Sequence, residues 1–155
     1  MKQVLALCLV LCTTGSIYAL DNLFAGAGAE ANANTRKGMA AGGVLSLGAD
    51  INKIFSAGLN MTFSHNFSTV FTLEPRAFFR YYLPLGINGF FAQAELGTAL
   101  FFEDGSAYPA FSGGLAAGWR CFVNEKFYIE PYVRGGYPFI WGIGFTAGMR
   151  LPLKK

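Results

Sequence analysis

Nine charged residues recur in apolar, aromatic surroundings: Glu30, Glu74, Arg76, Arg80, Glu95, Arg120, Glu130, Arg134 and Arg150. Arginine and glutamate brought together away from water can do one of two things. They can pair through charge-assisted hydrogen bonds and lock the structure, or they can line a gated polar path for ions and small solutes. An unpaired buried charge is costly, so partners are expected. The single histidine, His65, stands beside Ser64 and near Ser68, a base and nucleophiles for acyl transfer. No carboxylate lies close by to orient that base, and a solvated loop histidine is the simpler reading. No Cys/His cluster offers a metal site. Gly142 and Gly144 precede no helical pattern, so they form no phosphate loop. No cofactor is expected.

What must position these residues is an alternation of period two. Over residues 71–84 the odd positions are Phe71, Leu73, Pro75, Ala77, Phe79, Tyr81 and Leu83, while the even ones include Thr72, Glu74, Arg76 and Arg80. A helix would mix the two sets, and a strand separates them. Residues 89–102, 110–123, 127–137 and 139–151 repeat the pattern. In the last, Phe139, Trp141, Ile143, Phe145, Ala147, Met149 and Leu151 share the apolar face. Weaker versions occupy residues 23–30, 45–48 and 55–63. The result is eight segments of about ten to twelve residues, long enough for a tilted strand to cross a membrane. Turns at 50–53, 86–89 and 123–126 join them, and Asn52, Asn88 and Asn124 recur every 36 residues, one hairpin apart.

Of the 155 residues, 53% are hydrophobic and only 14% charged, against about a quarter charged in soluble domains. Residues 1–19 differ from the rest. Lys2, an apolar run over 4–12 and a small-residue end at Ala19 have the layout of a cleavable secretory signal. The run is too short to span a membrane as a helix. The expected organisation is therefore a signal peptide, 1–19, and one domain, 20–155. Cleavage removes Cys8 and Cys12, so Cys121 has no disulfide partner. It also removes Lys2, taking the net charge from +3 to +2, too small to suggest nucleic acid. For an exported, lipid-compatible chain with no apolar helix, the remaining solution is a closed barrel, which satisfies every backbone polar group.

Size decides which face points inward. An eight-stranded barrel has an interior just wide enough for side chains to fill. Most Phe, both Trp and the bulky aliphatics share one face, whereas the other is rich in Gly, Ala, Ser and Thr. The small, polar face must line the inside and the large apolar one meet lipid. Trp119, Tyr81 and Phe127 fall near turn ends, where membrane aromatics gather. An arginine among lipid tails would cost about 2–4 kcal/mol at the midplane, and every arginine except Arg36 sits on the interior face of a strand.

With these features the chain resembles the small OmpA/OmpX/OmpW-type outer-membrane barrels over residues 20–153. The resemblance implies an all-β, eight-stranded antiparallel up-and-down transmembrane β-barrel in the cell outer membrane. It implies outer-membrane lipids, the barrel assembly machinery and periplasmic chaperones as partners. One departure is the C-terminus, which ends in Lys155 where such barrels usually end in an aromatic.

Counting from the turns, Arg80, Glu95, Arg120, Glu130 and Arg150 form a group at the periplasmic end. Glu30, Glu74, Arg76 and Arg134 form a second, higher one. Neighbouring strands then set opposite charges side by side. The expected result is a salt-bridged plug with Phe24, Ile54, Phe91 and Phe122 beside it. Above it, Asn60, Thr62 and Ser112 line a shallow polar cup facing outward. The external loops, 32–38, 64–68, 103–109 and 135–138, are short. The function expected is a closed structural or surface-interface barrel, not an enzyme. The alternatives are a narrow OmpW-like channel for ions or for small or apolar solutes and, further off, a lipid-modifying enzyme using His65 and a serine.

Overall fold

The computed structural model describes residues 20–34, 38–66, 69–83 and 87–153. The segment 1–19 lies outside them, as do Arg36, Lys37, Ser68, Lys154 and Lys155. The strands are β1 (Asn22–Asn34), β2 (Gly38–Asp50), β3 (Phe55–Asn66), β4 (Phe71–Tyr82), β5 (Phe90–Glu103), β6 (Ser106–Trp119), β7 (Cys121–Phe122), β8 (Phe127–Tyr137) and β9 (Trp141–Pro152). Chain neighbours pair antiparallel except β6 and β7, β1 pairs with β9, and β6 pairs with β8 to close the ring. The short β7 continues the line of β6, so the wall has eight staves. The register explains the break between them. Gly118 faces Tyr132 and Cys121 faces Ile129, which sets Trp119 and Arg120 against Pro131 and Glu130. Proline has no N–H to give to the ladder.

Burial alternates along the long strands, except over Ser106–Pro109 and Gly135–Tyr137, where successive residues are all exposed. Leu115, Leu59, Leu47 and Phe111 are exposed on the outer face, while Arg120, Glu74 and Arg76 are buried inside. This inverts the pattern of a soluble protein. A wall of this kind belongs in lipid, where closure also removes the free strand edges. The Ala/Gly-rich β1 and β2, the faintest strands in the sequence, are complete. They pair from Asn22↔Asp50 to Asn34↔Gly38. Their small inner residues make room: Gly48 and Gly58 face each other, and a Cβ at either would lie 2.5 Å from the Phe24 ring or 2.7 Å from the Phe78 ring.

Two turns share one construction. Asn52 Oδ1 accepts hydrogen bonds from the Ile54 and Phe55 amides, each at 2.9 Å. Asn124 Oδ1 accepts from the Lys126 and Phe127 amides at 2.9 and 2.8 Å. Such a side chain holds the chain reversal that the backbone alone would leave loose. These turns, Lys53 and Lys126, and the ends of β1 and β9 mark one end of the barrel, the terminal end.

Three expectations are corrected. Residues 103–109 are no loop: Glu103 pairs with Ser106, and Asp104 and Gly105 alone make the turn, both at positive φ. An Asp-Gly pair of this conformation fits the right-handed twist of a hairpin. Phe139 does not lie on the outer face. β9 begins only at Trp141, and Phe139 is buried, its ring 6.2 Å from that of Phe101 at the far end of the lumen. Ile54 lies in the turn beyond β2 and is exposed, so it blocks nothing.

Candidate functional site: the charged lumen

The interior holds two charge clusters, one above the other. At the terminal end Glu130 accepts from two arginines. Arg80 Nη1 reaches its Oε1 at 2.6 Å, and Arg120 donates Nε to the same oxygen. Arg120 also faces Asp50, as does Arg150, each at 3.4 Å. Asp50 further accepts from Ser56 Oγ at 2.7 Å and Asn22 Nδ2 at 3.3 Å.

Nearer the far end, Arg76 Nη1 pairs with Glu95 at 2.7 Å, and its Nη2 donates to Thr62 at 2.7 Å. Arg134 bridges Glu74 at 2.8 Å and Glu30 at 2.9 Å. Tyr132 and Asn32 donate to Glu30, and Ser112 donates to Glu74.

Gln93 joins the clusters. It accepts from Arg80 Nε at 2.8 Å and donates to Glu95. Between them lies a cavity of about 20 Å³ bordered by Ser46, Asn60, Glu130 and Thr146, about the space one water molecule needs.

Aromatic rings finish the terminal-end layer. The Arg120 guanidinium lies 4.3 Å from the Phe24 ring and 4.4 Å from the Tyr128 ring, and that of Arg80 lies 3.9 Å from the Phe91 ring. Desolvated contacts of this type are each worth about 2 kcal/mol. They give Arg120 Nη2, which has no hydrogen-bond partner among the described residues, an electron-rich surface instead. Phe122 packs partly buried against the same rings. β9 contributes glycines here, because a Cβ at Gly148 would come within 2.3 Å of the Tyr128 hydroxyl.

All nine charged residues singled out in the sequence project into the lumen, but not in the two groups that counting gave. Glu95 joins the far cluster through Arg76. Strand tilt is the reason. Register sets Arg76 against Gly97 and Arg80 against Gln93, so equal distance from a turn is not equal height. Several partners also meet across the lumen and not between neighbouring strands: Arg80 on β4 meets Glu130 on β8, and Arg134 on β8 meets Glu74 on β4. Asn60, Thr62 and Ser112 do not stand in an open cup. Each is buried and bonded to a cluster member, Glu95, Arg76 and Glu74 respectively.

Asp50 escaped the sequence reading. It sits among turn residues, yet it is the last residue of β2 and is fully buried. Its even position, in step with Ser46 and Gly48, was the available signal. His65 lies in β3, not in a loop, and is exposed on the outer face, whereas Ser64 is buried on the inner one. The wall separates these two, so they form no nucleophile–base pair.

No protein-family model matches the chain, and no curated protein matches its sequence. Its structure, however, matches neisserial surface protein A with a TM-score of 0.60 at 19% identity, over 85% of this chain and 97% of that one. The N-terminal β-barrel domain of Pseudomonas aeruginosa OprF gives 0.56 at 14% identity, over 85% and 98%. The chain has the fold of the small outer-membrane β-barrels. The P. aeruginosa outer membrane protein OprG, at 0.55 and 11% identity over 87% and 97%, shares this barrel fold as well. At such identities the likeness concerns the eight-staved wall, and the contents of the lumen are read from this chain alone.

Proposed function

We propose that this protein is an integral outer-membrane barrel with a structural or surface-interface role, its lumen closed by the arginine–carboxylate network. Export runs through the signal at 1–19, and outer-membrane lipids are its immediate partners. The observation that carries the reading is the filling of the lumen. Five arginines meet four glutamates and Asp50, so the enclosed charge is balanced, and Gln93 links both clusters into one network. A conducting path would have to separate several buried pairs at once, each strongly resisted once its partner is removed.

The test is single-channel recording of the purified protein in planar bilayers. The closed reading expects no steady openings in the wild type, and rare or small ones in Arg80→Ala/Arg120→Ala, where the terminal-end cluster is dismantled. Steady, large openings of the wild type would overturn it in favour of the narrow channel.

A further inference from the structure

The outer wall is not evenly clad. β3 to β6, β8 and β9 carry exposed aromatics, among them Phe63, Phe79, Phe90, Tyr108, Trp119, Phe127 and Trp141. On β1, by contrast, every outward residue after Leu23 is alanine. The register lays two rows of outward side chains side by side across the strands. One row is Phe90, Trp119, Pro131, Phe145 and Ala29, and the next is Ala117, Val133, Ile143, Ala31 and Ala41. Between them runs an open furrow of about 730 Å³. Bulky side chains wall it near Trp119 and Phe145, and alanine floors it where it crosses β1. Because barrel strands tilt by roughly 35–45°, a furrow across them climbs obliquely. This one rises from Phe90 and Trp119, beside the terminal end, toward the far end at Ala41.

We propose that this furrow holds a single phospholipid acyl chain in an ordered position. The inference rests on the reading of the wall as membrane-embedded with its termini in the periplasm. The outward side chains along the furrow are apolar throughout, so a polar or charged partner would lose its hydrogen bonds on docking. An extended hydrocarbon loses none and gains close contact along its length. The furrow starts among aromatics at the terminal end, where Phe90 and Trp119 stand at headgroup depth, the usual station of such rings. A chain descending from a headgroup there enters lengthwise. A second outer furrow, along Phe79, Ala94, Leu115 and Val133, is smaller, at about 490 Å³, and does not reach the alanines of β1.

Native mass spectrometry of barrels released from phospholipid-containing micelles tests this. Wild-type protein is expected to retain one phospholipid. Ala29→Leu/Ala31→Leu, which raises the floor, is expected to retain none. Ala57→Leu, on the outer face of β3 away from the furrow, is expected to retain it as the wild type does. Heat-modifiable gel mobility, run on each variant, reports separately that the barrel itself is folded. Equal retention in all three proteins would overturn the proposal while leaving the barrel reading intact. So would a dimer lost only in Ala29→Leu/Ala31→Leu, which would assign the face to a second copy.

Discussion

Asp50 balances the lumen. Without it, five arginines face four glutamates and one guanidinium is left over. With it, Arg120 and Arg150 share a carboxylate that Ser56 and Asn22 also hold. Removing one side of a buried pair costs about 3–5 kcal/mol, because the other charge stays buried without its counter-ion. Glu130→Gln leaves Arg80 without a carboxylate among the described residues and Arg120 with Asp50 alone, at 3.4 Å, and is expected to destabilise the barrel by about that amount. Asp50→Asn is expected to cost less, since both its arginines stand at 3.4 Å and Arg150 is partly open to solvent. Urea unfolding in lipid vesicles measures both, and a Glu130→Gln protein as stable as the wild type would contradict the network. The nine other charges could be read from their strand parity. Asp50 could not, because an aspartate two residues before a turn asparagine has the local character of the turn itself.

Among the elements, the turns and the β6–β8 seam show how local chemistry and global register divide the work. The Asn52 and Asn124 turns were legible as a repeat, and their side chains close the two chain reversals in the same way. Asn124→Ala removes two hydrogen bonds to backbone amides, each worth about 0.5–1.5 kcal/mol. The expected outcome is slower refolding into vesicles with the wall unchanged, followed by the return of heat-modifiable mobility with time. Refolding at the wild-type rate would deny the turn that role. The Gly48–Gly58 pair makes the opposite point. Nothing local distinguishes these glycines from their neighbours, yet the Phe24 and Phe78 rings occupy the space above them. Gly58→Val is expected to cost about 1–3 kcal/mol by overpacking, seen as a lower urea midpoint. Phe139 shares the parity of β9, but the strand starts two residues later, at Trp141, and Phe139 turns into the far end of the lumen.

At the scale of the whole molecule, the apolar wall and the charged lumen are one fact seen from two sides. Leu115 is among the most exposed large hydrophobics, at 69%, and lies midway along its stretch of wall. Leu115→Arg should be harmless on a soluble protein. Here it is expected to cost about 2–4 kcal/mol, the midplane penalty for arginine on a lipid-facing strand. Unfolding in vesicles reads that loss, and an unaffected variant would mean that the face does not meet lipid. The wild-type protein, extracted with its membrane, is expected to migrate differently boiled and unboiled. Identical migration would count against a folded barrel.

The sequence by itself determined the all-β class, the eight staves and the sense of each face, because period-two alternation is a local property that survives without knowledge of neighbours. It also put the nine arginines and glutamates on one face of their strands. The tertiary structure alone decided who pairs with whom. Pairing across a closed barrel depends on register and tilt accumulated around the ring, and no single strand carries that information. Register put Glu95 with Arg76, and closure brought β4 and β8 within reach of each other. At the end of β2, it turned Asp50 from a turn residue into the counter-ion that the lumen required.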